Sequence, residues 1–231
     1  MRKEFIILIP AYQPKESFID LIHSIENENV DHIIVVDDGS GEEYKNIFDS
    51  LKKNITLLVH SINRGKGAAL KTGFQYISSH YSSYVVVTMD CDGQHKIKDA
   101  KKLYDYNLNH EDEFVLGSRK LDCNVPLRSK LGNGITRKIF SFVTRVKVYD
   151  TQTGLRSFSN ELMSLMLNID GSRFEYEINV LLECTKRNIL IHEIWIETIY
   201  YNNNSGSHFH AFKDSYRIYK QIITYALKKR T

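Results

Sequence analysis

The alternation of strand and helix signals along the first half of the chain limits its fold more than any other feature. Segments with apolar residues at helical spacing are separated there by short runs rich in isoleucine and valine. These runs are Phe5–Ile9, His32–Val36, Ile55–His60, Tyr84–Met89 and Glu113–Leu116. Continuous apolar strands that alternate with amphipathic helices predict an α/β fold with a mostly parallel central sheet flanked by helices on both faces. Because such sheets bind ligands at the carboxyl ends of their strands, polar residues at these ends are candidates for function.

The second half of the chain carries longer helical segments and a single strand signal. The predicted elements are a basic helical stretch to about Val148, helices around Glu161–Leu167 and Glu175–Lys186, a strand at Leu190–Ile199 and a C-terminal amphipathic helix, Phe212–Lys229. No repeat and no linker divides the 231 residues, so we expect one domain.

The composition excludes several classes of protein. A net charge of +3, with no nucleic-acid motif, argues against a nucleic-acid partner. The three cysteines, Cys91, Cys123 and Cys184, lack CxxC spacing, which argues against a zinc site or a disulfide framework and suits a reducing cytoplasm. No apolar stretch approaches the roughly 20 residues that a membrane-spanning helix needs.

Two carboxylates, Asp37 and Asp38, follow the second predicted strand and precede Gly39 and Ser40. Carboxylates at the end of a parallel strand can accept hydrogen bonds from a nucleobase and from ribose hydroxyls. The same residue types also favour a plain turn, so this motif alone leaves both interpretations open.

A second pair, Asp90 and Asp92, follows the fourth predicted strand. Carboxylates two residues apart at a strand end can converge on one hard cation, and Mg²⁺ or Mn²⁺ typically joins one or two carboxylates to substrate phosphates. Gln94 can add a carbonyl oxygen, and Gly93 lets the backbone turn close to a ligand. A solvated turn is the alternative, but it leaves two adjacent carboxylates that repel each other.

The segment Asn63-Arg64-Gly65-Lys66-Gly67 opens a predicted helix. Backbone amides, the helix dipole and the Lys66 amine can all face an anionic donor there. The GxxxxGK[ST] spacing of a P-loop is absent.

The order of these motifs is more specific than any one of them. One motif follows each of the first four predicted strands in the sequence. In order they are Pro10-Ala11-Tyr12, Asp37-Asp38-Gly39-Ser40, Asn63-Arg64-Gly65-Lys66-Gly67 and Asp90-Cys91-Asp92-Gly93-Gln94-His95. This order resembles the family-two glycosyltransferases of the GT-A (Rossmann-like) fold, in particular the dolichyl- and polyprenyl-phosphate mannose and glucose synthases. The likeness continues through residues 117–119, 150–156, 174–177 and 207–209, and it covers the chain from Ile9 to about Tyr219.

The resemblance implies a donor site and a metal. The residues expected to bind the nucleotide sugar are Pro10, Ala11, Tyr12, Asp37, Asp38, Lys66, Asp90 and Gln94. The expected ligands of Mg²⁺ or Mn²⁺ are Asp90, Asp92 and Gln94. The family usually reads Asn-Glu after Pro-Ala-Tyr, whereas this chain has Gln13-Pro14, so the resemblance leaves the donor base open.

The resemblance also implies an acceptor site. Arg119 and Arg128 match positions that hold the acceptor phosphate, and with Asp92 they are the predicted catalytic residues. Further acceptor candidates are Arg156, Glu175, Glu177, Ser207 and His208, and a loop at 201–212 is expected to close over the donor. We therefore divide the single domain into a nucleotide-sugar-binding half at 1–119, an acceptor-binding half at 120–210 and a C-terminal amphipathic helix at 211–231.

Two basic stretches, 123–149 and 215–231, contain no Asp or Glu. Basic amphipathic helices with aromatic residues bind anionic membranes, although most amphipathic helices simply pack on their own domain. The lack of acids favours peripheral contact with the cytoplasmic face of a membrane. Related enzymes often carry transmembrane helices after the catalytic domain, so a chain that ends at Thr231 is expected either to work with a separate membrane protein or a second copy, or to be a shortened form.

These patterns predict an inverting enzyme that moves a hexose from a UDP-sugar or GDP-mannose to a polyprenyl phosphate. An ionised lipid phosphate attacks without a general base, whereas a sugar hydroxyl needs one. The first alternative is a soluble enzyme that glycosylates a saccharide or a cell-wall polymer, with Glu175 or Glu177 as the base. The second alternative is a non-catalytic subunit that binds a nucleotide sugar.

Overall fold

The computed structural model describes residues 2–119, 127–197 and 211–228, without the side chains of 127–133, 211–212 and 228. Its strands are β1 (Glu4–Ala11), β2 (His32–Asp37), β3 (Ile55–Val59), β4 (Tyr84–Thr88), β5 (Phe114–Arg119), β6 (Arg156–Ser159) and β7 (Ile191–Ile196). They form one seven-stranded sheet in the order β3-β2-β1-β4-β6-β5-β7. All described pairings are parallel except those of β6, which runs antiparallel to β4 and to β5.

Helices connect the strands and cover the sheet. They are α1 (Ser17–Glu26), α2 (Lys45–Asp49), α3 (Lys66–His80), α4 (Ile97–Asn107), α5 (Leu127–Thr144), α6 (Met163–Asn168), α7 (Glu175–Lys186) and α8 (Ala211–Lys228), with short 3₁₀ turns at Glu42–Tyr44 and Asn160–Leu162. The predicted α/β fold, with a mostly parallel sheet flanked by helices and a C-terminal amphipathic helix, is confirmed.

The hydrophobic core lies on both faces of the sheet because successive side chains of a strand point to opposite faces. In β1, Ile6 and Leu8 belong to the cluster beneath α3, whereas Phe5, Ile7 and Ile9 belong to the cluster beneath α1. Burial on both faces explains why the central strands are continuous apolar runs.

Strand β6 was not predicted, because its sequence, Arg-Ser-Phe-Ser, is short and polar. All four residues are buried. The Ser157 hydroxyl donates to the Asn107 side chain, and the Ser159 hydroxyl donates to the Glu111 carbonyl at 2.7 Å. Tertiary hydrogen bonds that no local pattern reveals therefore permit the burial of these serines.

The C-terminal helix α8 packs on α5 and α7. Its inward face buries Ile218 and Ile222, while Tyr216, Ile223 and Leu227 remain exposed. None of the helices in the described segments is both long and apolar enough to cross a bilayer.

Candidate active site

A cleft of about 520 Å³ lies at the edge of the sheet where β1, β2 and β4 end. It brings together residues from all four predicted motifs, including the one that opens α3. Its lining consists of Pro10, Ala11, Tyr12, Asp38, Asn63, Gly65, Lys66, Ala69, Asp90, Cys91, Asp92, Arg173, Phe174, Lys213, Asp214 and Arg217. The strand ends thus converge as the parallel topology requires.

Lys66 joins two carboxylates at the base of this cleft. Its Nζ lies 2.6 Å from Asp90 Oδ1 and 2.9 Å from Glu177 Oε1. Burial disfavours the ammonium, but the charges of Asp90 and Glu177 outweigh it and raise the pKa of Lys66 above its ordinary value. Burial likewise opposes the charge of Asp90, yet Lys66 and His95 hold the pKa of Asp90 well below its usual range. Both groups are therefore charged at neutral pH.

The environment of Asp92 shifts its pKa in the opposite direction from that of Asp90. Burial and the neighbouring charge of Asp90 raise the pKa of Asp92 above its ordinary value, although its Oδ1 accepts a hydrogen bond from the Gln94 amide at 3.0 Å. A second negative charge is thus disfavoured in this place unless more positive charge arrives. Two hard oxygen ligands in such a place fit a divalent cation.

The metal ligands that the sequence predicts are only partly assembled. Asp90 and Asp92 line the cleft, whereas the Gln94 side chain is buried and is not among the lining residues. Within the described part of the chain, no three His, Cys, Asp or Glu residues converge to form a metal site. A pair of carboxylates is nevertheless typical of Mg²⁺ sites, in which one or two carboxylates bind the ion together with substrate phosphates.

Gly154, in the loop before β6, lies directly against the Asp90 carboxylate. A Cβ atom on Gly154 would lie 2.1 Å from Asp90 Oδ2, which leaves no room for any side chain. The Thr88 hydroxyl donates to the Gly154 carbonyl at 2.8 Å and fixes this approach. The sequence contained Gly154 in a family-like motif, but no spacing indicated that it lies against Asp90.

Asp38 lines the cleft, yet its carboxylate is already surrounded by donors. Its partners are His60 Nδ1 at 2.7 Å, Asn63 Nδ2 at 3.0 Å, the Arg64 amide at 2.9 Å and the Gly65 amide at 2.7 Å. Asp37 is buried outside the lining and accepts from the Ser40 amide at 2.9 Å. The structure therefore shows Asp38 organising the loop before α3, a contribution that the sequence did not indicate.

The amino end of α3 is covered by the segment before α7. Gly65 has a φ of +99°, and a Cβ there would lie 2.5 Å from the Ser172 carbonyl oxygen. The same carbonyl accepts from the Ala68 amide at 2.9 Å. One of the amides predicted to face an anion is therefore bonded to protein, and Lys66 is the part of this motif that reaches the carboxylates.

Arg119 does not line the cleft. Its Nε and Nη2 atoms bind the fully buried Asp150 carboxylate at 2.6 and 3.1 Å. Burial opposes the charge of Asp150, but Arg119 overcomes it and lowers the pKa of Asp150. The structure thus shows a bidentate ion pair where the sequence predicts a phosphate ligand. The backbone of Arg128 lies in α5, and its side chain is outside the described residues.

The remaining acceptor candidates are dispersed. Arg156 is buried and donates to the carbonyls of Thr151, Thr153 and Glu177 at 3.3, 2.8 and 2.7 Å, so it braces the loop before β6. The Glu175 Oε1 atom accepts from the Ser172 and Arg173 amides, both at 3.1 Å, whereas Glu177 faces Lys66. Ser207, His208 and most of the predicted 201–212 loop lie outside the described residues.

Several lining residues were not anticipated. Arg173 and Phe174 come from the segment before α7, and Lys213, Asp214 and Arg217 come from the first turns of α8. The sequence showed Arg217 only as part of a basic stretch, which we interpreted as a membrane-facing surface. Its place at the cleft depends on how α8 packs against α7.

Comparison with known proteins agrees with this geometry. The profile described as Glycosyl transferase family 2 matches residues 6–170. A UDP-N-acetylglucosamine–dolichyl-phosphate N-acetylglucosaminyltransferase of Methanococcus voltae is 30% identical over 86% of this chain and 86% of its own. A polyprenol monophosphomannose synthase of Mycolicibacterium smegmatis is 27% identical over 76% of this chain and 69% of its own.

Among solved structures, glucosyl-3-phosphoglycerate synthase from Mycobacterium tuberculosis, in complex with Mn²⁺, uridine diphosphate and glucosyl-3-phosphoglycerate, has a TM-score of 0.75. The likeness covers 97% of this chain and 80% of that one at 16% identity. At this identity the match shows a shared fold, of the GT-A type.

Proposed function

Because the chain belongs to glycosyl transferase family 2, we propose that it is an inverting hexosyltransferase that acts on a polyprenyl phosphate. The donor in this proposal is a UDP-sugar or GDP-mannose. The observation that carries the proposal is the cleft in which Asp90, Asp92 and Lys66 meet at the carboxyl edge of the sheet.

Donor binding is assigned to residues from the first half of the chain. Pro10, Ala11 and Tyr12 line the cleft and would pack against the nucleobase, and Asp38 holds the adjoining loop. Asp90 and Asp92 would hold Mg²⁺ or Mn²⁺, with Gln94 ordering the turn beneath them. A bound cation of this kind would act as a Lewis acid and offset the charge that develops on the leaving diphosphate.

The acceptor is inferred from the relatives and from the chemistry of the carboxylates. Both relatives named above carry a dolichyl or polyprenol substrate in their names. A phosphate oxygen is already ionised at neutral pH, so its attack on the anomeric carbon needs no general base. As the new carbon–oxygen bond forms on one face, the bond to the diphosphate breaks on the other and its electron pair leaves with the diphosphate, which gives inversion. Glu177 is then not needed as a general base and can instead hold the Lys66 ammonium, which lies 2.9 Å from its Oε1 atom.

A peripheral position at the cytoplasmic face of a membrane belongs to the same proposal. The helices α5 and α8 expose large apolar side chains, among them Phe142, Tyr216, Ile223 and Leu227. Basic residues beside them would attract anionic lipids. A separate membrane protein or a second copy would complete the assembly at the membrane.

Transfer to a hydroxyl acceptor is the second candidate function, and the environment of the Glu175 carboxylate favours it. The second oxygen of this carboxylate, Oε2, is buried without a hydrogen-bond partner in the described structure. Such an atom can accept the proton of an attacking hydroxyl.

Transfer of radiolabelled sugar distinguishes these candidates. The protein is incubated with Mn²⁺ and UDP-N-acetylglucosamine, UDP-glucose or GDP-mannose, together with polyprenyl phosphate or free saccharides. We expect product only in the organic phase and its loss in Asp92→Asn. Asp105→Asn, which removes an exposed carboxylate on α4, is the matched control. Product only in the aqueous phase would overturn the lipid acceptor, and donor binding without any transfer would favour a non-catalytic subunit.

A further inference from the structure

A second cavity of about 430 Å³ adjoins the cleft. It is lined by Glu175, Lys213, Tyr216, Arg217, Lys220 and Gln221. Lys213 and Arg217 also line the cleft, so the two cavities meet at these side chains. A group bound in the second cavity would therefore lie next to the donor.

The lining of the second cavity carries more positive than negative charge. Lys213, Arg217 and Lys220 follow one another at i, i+4 and i+7 and so share one face of α8. Among the residues that the structure describes, Lys213 and Lys220 form no ion pair, and Arg217 lies 3.4 Å from Asp214. Among the described lining residues the one carboxylate is that of Glu175, whose Oε1 already accepts hydrogen bonds from two backbone amides. The balance of charge favours an anion.

The expected phosphate ligand, Arg119, offers a contrast. Its guanidinium is committed to the buried Asp150, and it lines neither cavity. Among the described side chains, the cations of α8 line the cavity beside the cleft, whereas Arg119 does not.

We propose that Lys213, Arg217 and Lys220 form the subsite for the phosphate monoester of the acceptor. This proposal rests on the proposed function, since the acceptor phosphate must lie beside the donor sugar. The phosphate oxygen would attack the anomeric carbon from the side of α8 while the bond from that carbon to the nucleoside diphosphate breaks and its electron pair leaves with the diphosphate, and no proton is transferred in this step.

The face of α8 beyond this subsite indicates which phosphate it receives. Tyr216, Ile223 and Leu227 are exposed by 69%, 58% and 62%, and their spacing places them along one side of the helix. The stripe begins at the cavity, where Tyr216 is part of the lining. A cationic pocket that continues into an apolar stripe fits a phosphate attached to a hydrocarbon chain.

Lys220 allows a direct test, because it lines the second cavity and not the cleft. Binding of farnesyl phosphate to the full chain with UDP and Mn²⁺ is measured by calorimetry, and binding of UDP is measured separately. For Lys220→Gln we expect about tenfold weaker binding of farnesyl phosphate, as the loss of a charge-assisted hydrogen bond implies, and unchanged binding of UDP. Lys220→Arg should restore most of the affinity.

The matched control is Lys53→Gln, which removes an exposed lysine just before β3, at the opposite edge of the sheet. Inorganic phosphate and 3-phosphoglycerate serve as separate arms. If the apolar stripe holds a lipid, Ile223→Ser weakens binding of farnesyl phosphate but leaves that of inorganic phosphate unchanged.

The possible failures are distinct. If UDP binds and farnesyl phosphate binds Lys220→Gln as tightly as the wild type, the subsite is wrong while the proposed function stands. If the wild type binds no phosphate monoester at all, the subsite is also wrong. If the wild type binds farnesyl phosphate through Lys220 but transfers no sugar to it, the proposed function fails and the subsite remains.

Discussion

At the scale of single residues, His60 is the least expected part of the site. Its Nδ1 lies 2.7 Å from Asp38 Oδ1, and its Nε2 lies 2.9 Å from the Thr72 hydroxyl. The imidazole is buried between them and fixes the carboxylate that holds the loop before α3. Because it contacts the loop before α3 only through Asp38, we predict that it acts as a positioning residue for the proposed donor.

Replacement of His60 by the two amides separates its two contacts. An Asn amide can reproduce the Nδ1 contact with Asp38, whereas a Gln amide reaches towards Thr72 instead. We expect His60→Gln to weaken donor binding about fivefold, as the loss of one hydrogen bond of about 1 kcal/mol implies, with His60→Asn nearer to wild type. Calorimetry with UDP and Mn²⁺ measures this, and Thr72→Val is the control for the outer contact. Equal affinities in both amide variants would show that the bond to Asp38 does not position the site.

Gly154 is the second residue with a sharp consequence. The Cβ of Gly154→Ala would overlap the Asp90 carboxylate, so Asp90 has to move or the loop has to shift. We expect a loss of stability of about 1–3 kcal/mol, typical of overpacking, together with loss of Mn²⁺-dependent UDP binding. Denaturant unfolding and calorimetry measure the two effects.

Gly134→Ala is the control for this substitution, because a Cβ at Gly134 in α5 would meet nothing within 4 Å. It should leave UDP binding unchanged and should stabilise the helix by up to about 1 kcal/mol. Wild-type UDP binding in Gly154→Ala would contradict the described packing of the loop against Asp90.

At the scale of the elements, the Arg119–Asp150 pair ties the end of β5 to the loop before β6. The folded-state pKa of Asp150 lies below its ordinary value, so the ionised carboxylate stabilises the fold. This stability is fully present above the unfolded pKa of about 3.9 and is lost as the pH falls through the folded value.

Asp150→Asn leaves the Arg119 charge without its partner. We expect a loss of about 3 kcal/mol at pH 7, as for other broken buried pairs, and a difference from wild type that shrinks below about pH 4. Urea unfolding at several pH values measures it. A constant difference down to pH 3 would show that Asp150 does not contribute through its charge.

The elements also show how far the sequence predicts the structure. Long apolar runs such as β1 and β4 were predicted within one or two residues of their ends, because burial on both faces leaves a strong local signal. Strand β6 left none, since its buried serines depend on Asn107 and Glu111 from elsewhere in the chain.

The candidate site divides in the same way. Asp90, Asp92 and Lys66 were predicted and do meet at the cleft, because strand ends converge in any parallel sheet. Arg173, Lys213 and Arg217 reach the cleft through helix packing, and the Arg119–Asp150 pair joins the end of β5 to the loop before β6. Such contacts are set by tertiary structure and have no signature in residue spacing.

At the scale of the whole molecule, charge and apolar surface on α5 and α8 predict membrane binding. We expect the protein to sediment with vesicles rich in phosphatidylglycerol and to be released at about 0.5 M salt, where surface charges are screened. Ile223→Ser combined with Leu227→Ser should weaken this binding several-fold.

The control for membrane binding is Val59→Ser, at the end of the outer strand β3. Val59 is 64% exposed, comparable to Leu227 at 62%, but it lies on the outermost strand, whereas α8 packs on α5 and α7. Equal loss of vesicle binding in Val59→Ser and in the α8 variant would show that general hydrophobicity, and not the α8 surface, attracts the membrane.

The reversed direction of β6 has a consequence for how the protein can be altered. Because β6 pairs Arg156 with Thr88, it begins at the edge of the sheet where the parallel strands on either side of it end. The loop that enters β6 therefore serves the cleft, and the residues that follow its end at Ser159 lie at the opposite edge, with the turns before β3 and β4. A fluorescent label or a tether inserted in those turns would lie a full strand length from the cleft. It should therefore report on the protein without disturbing the residues of the cleft.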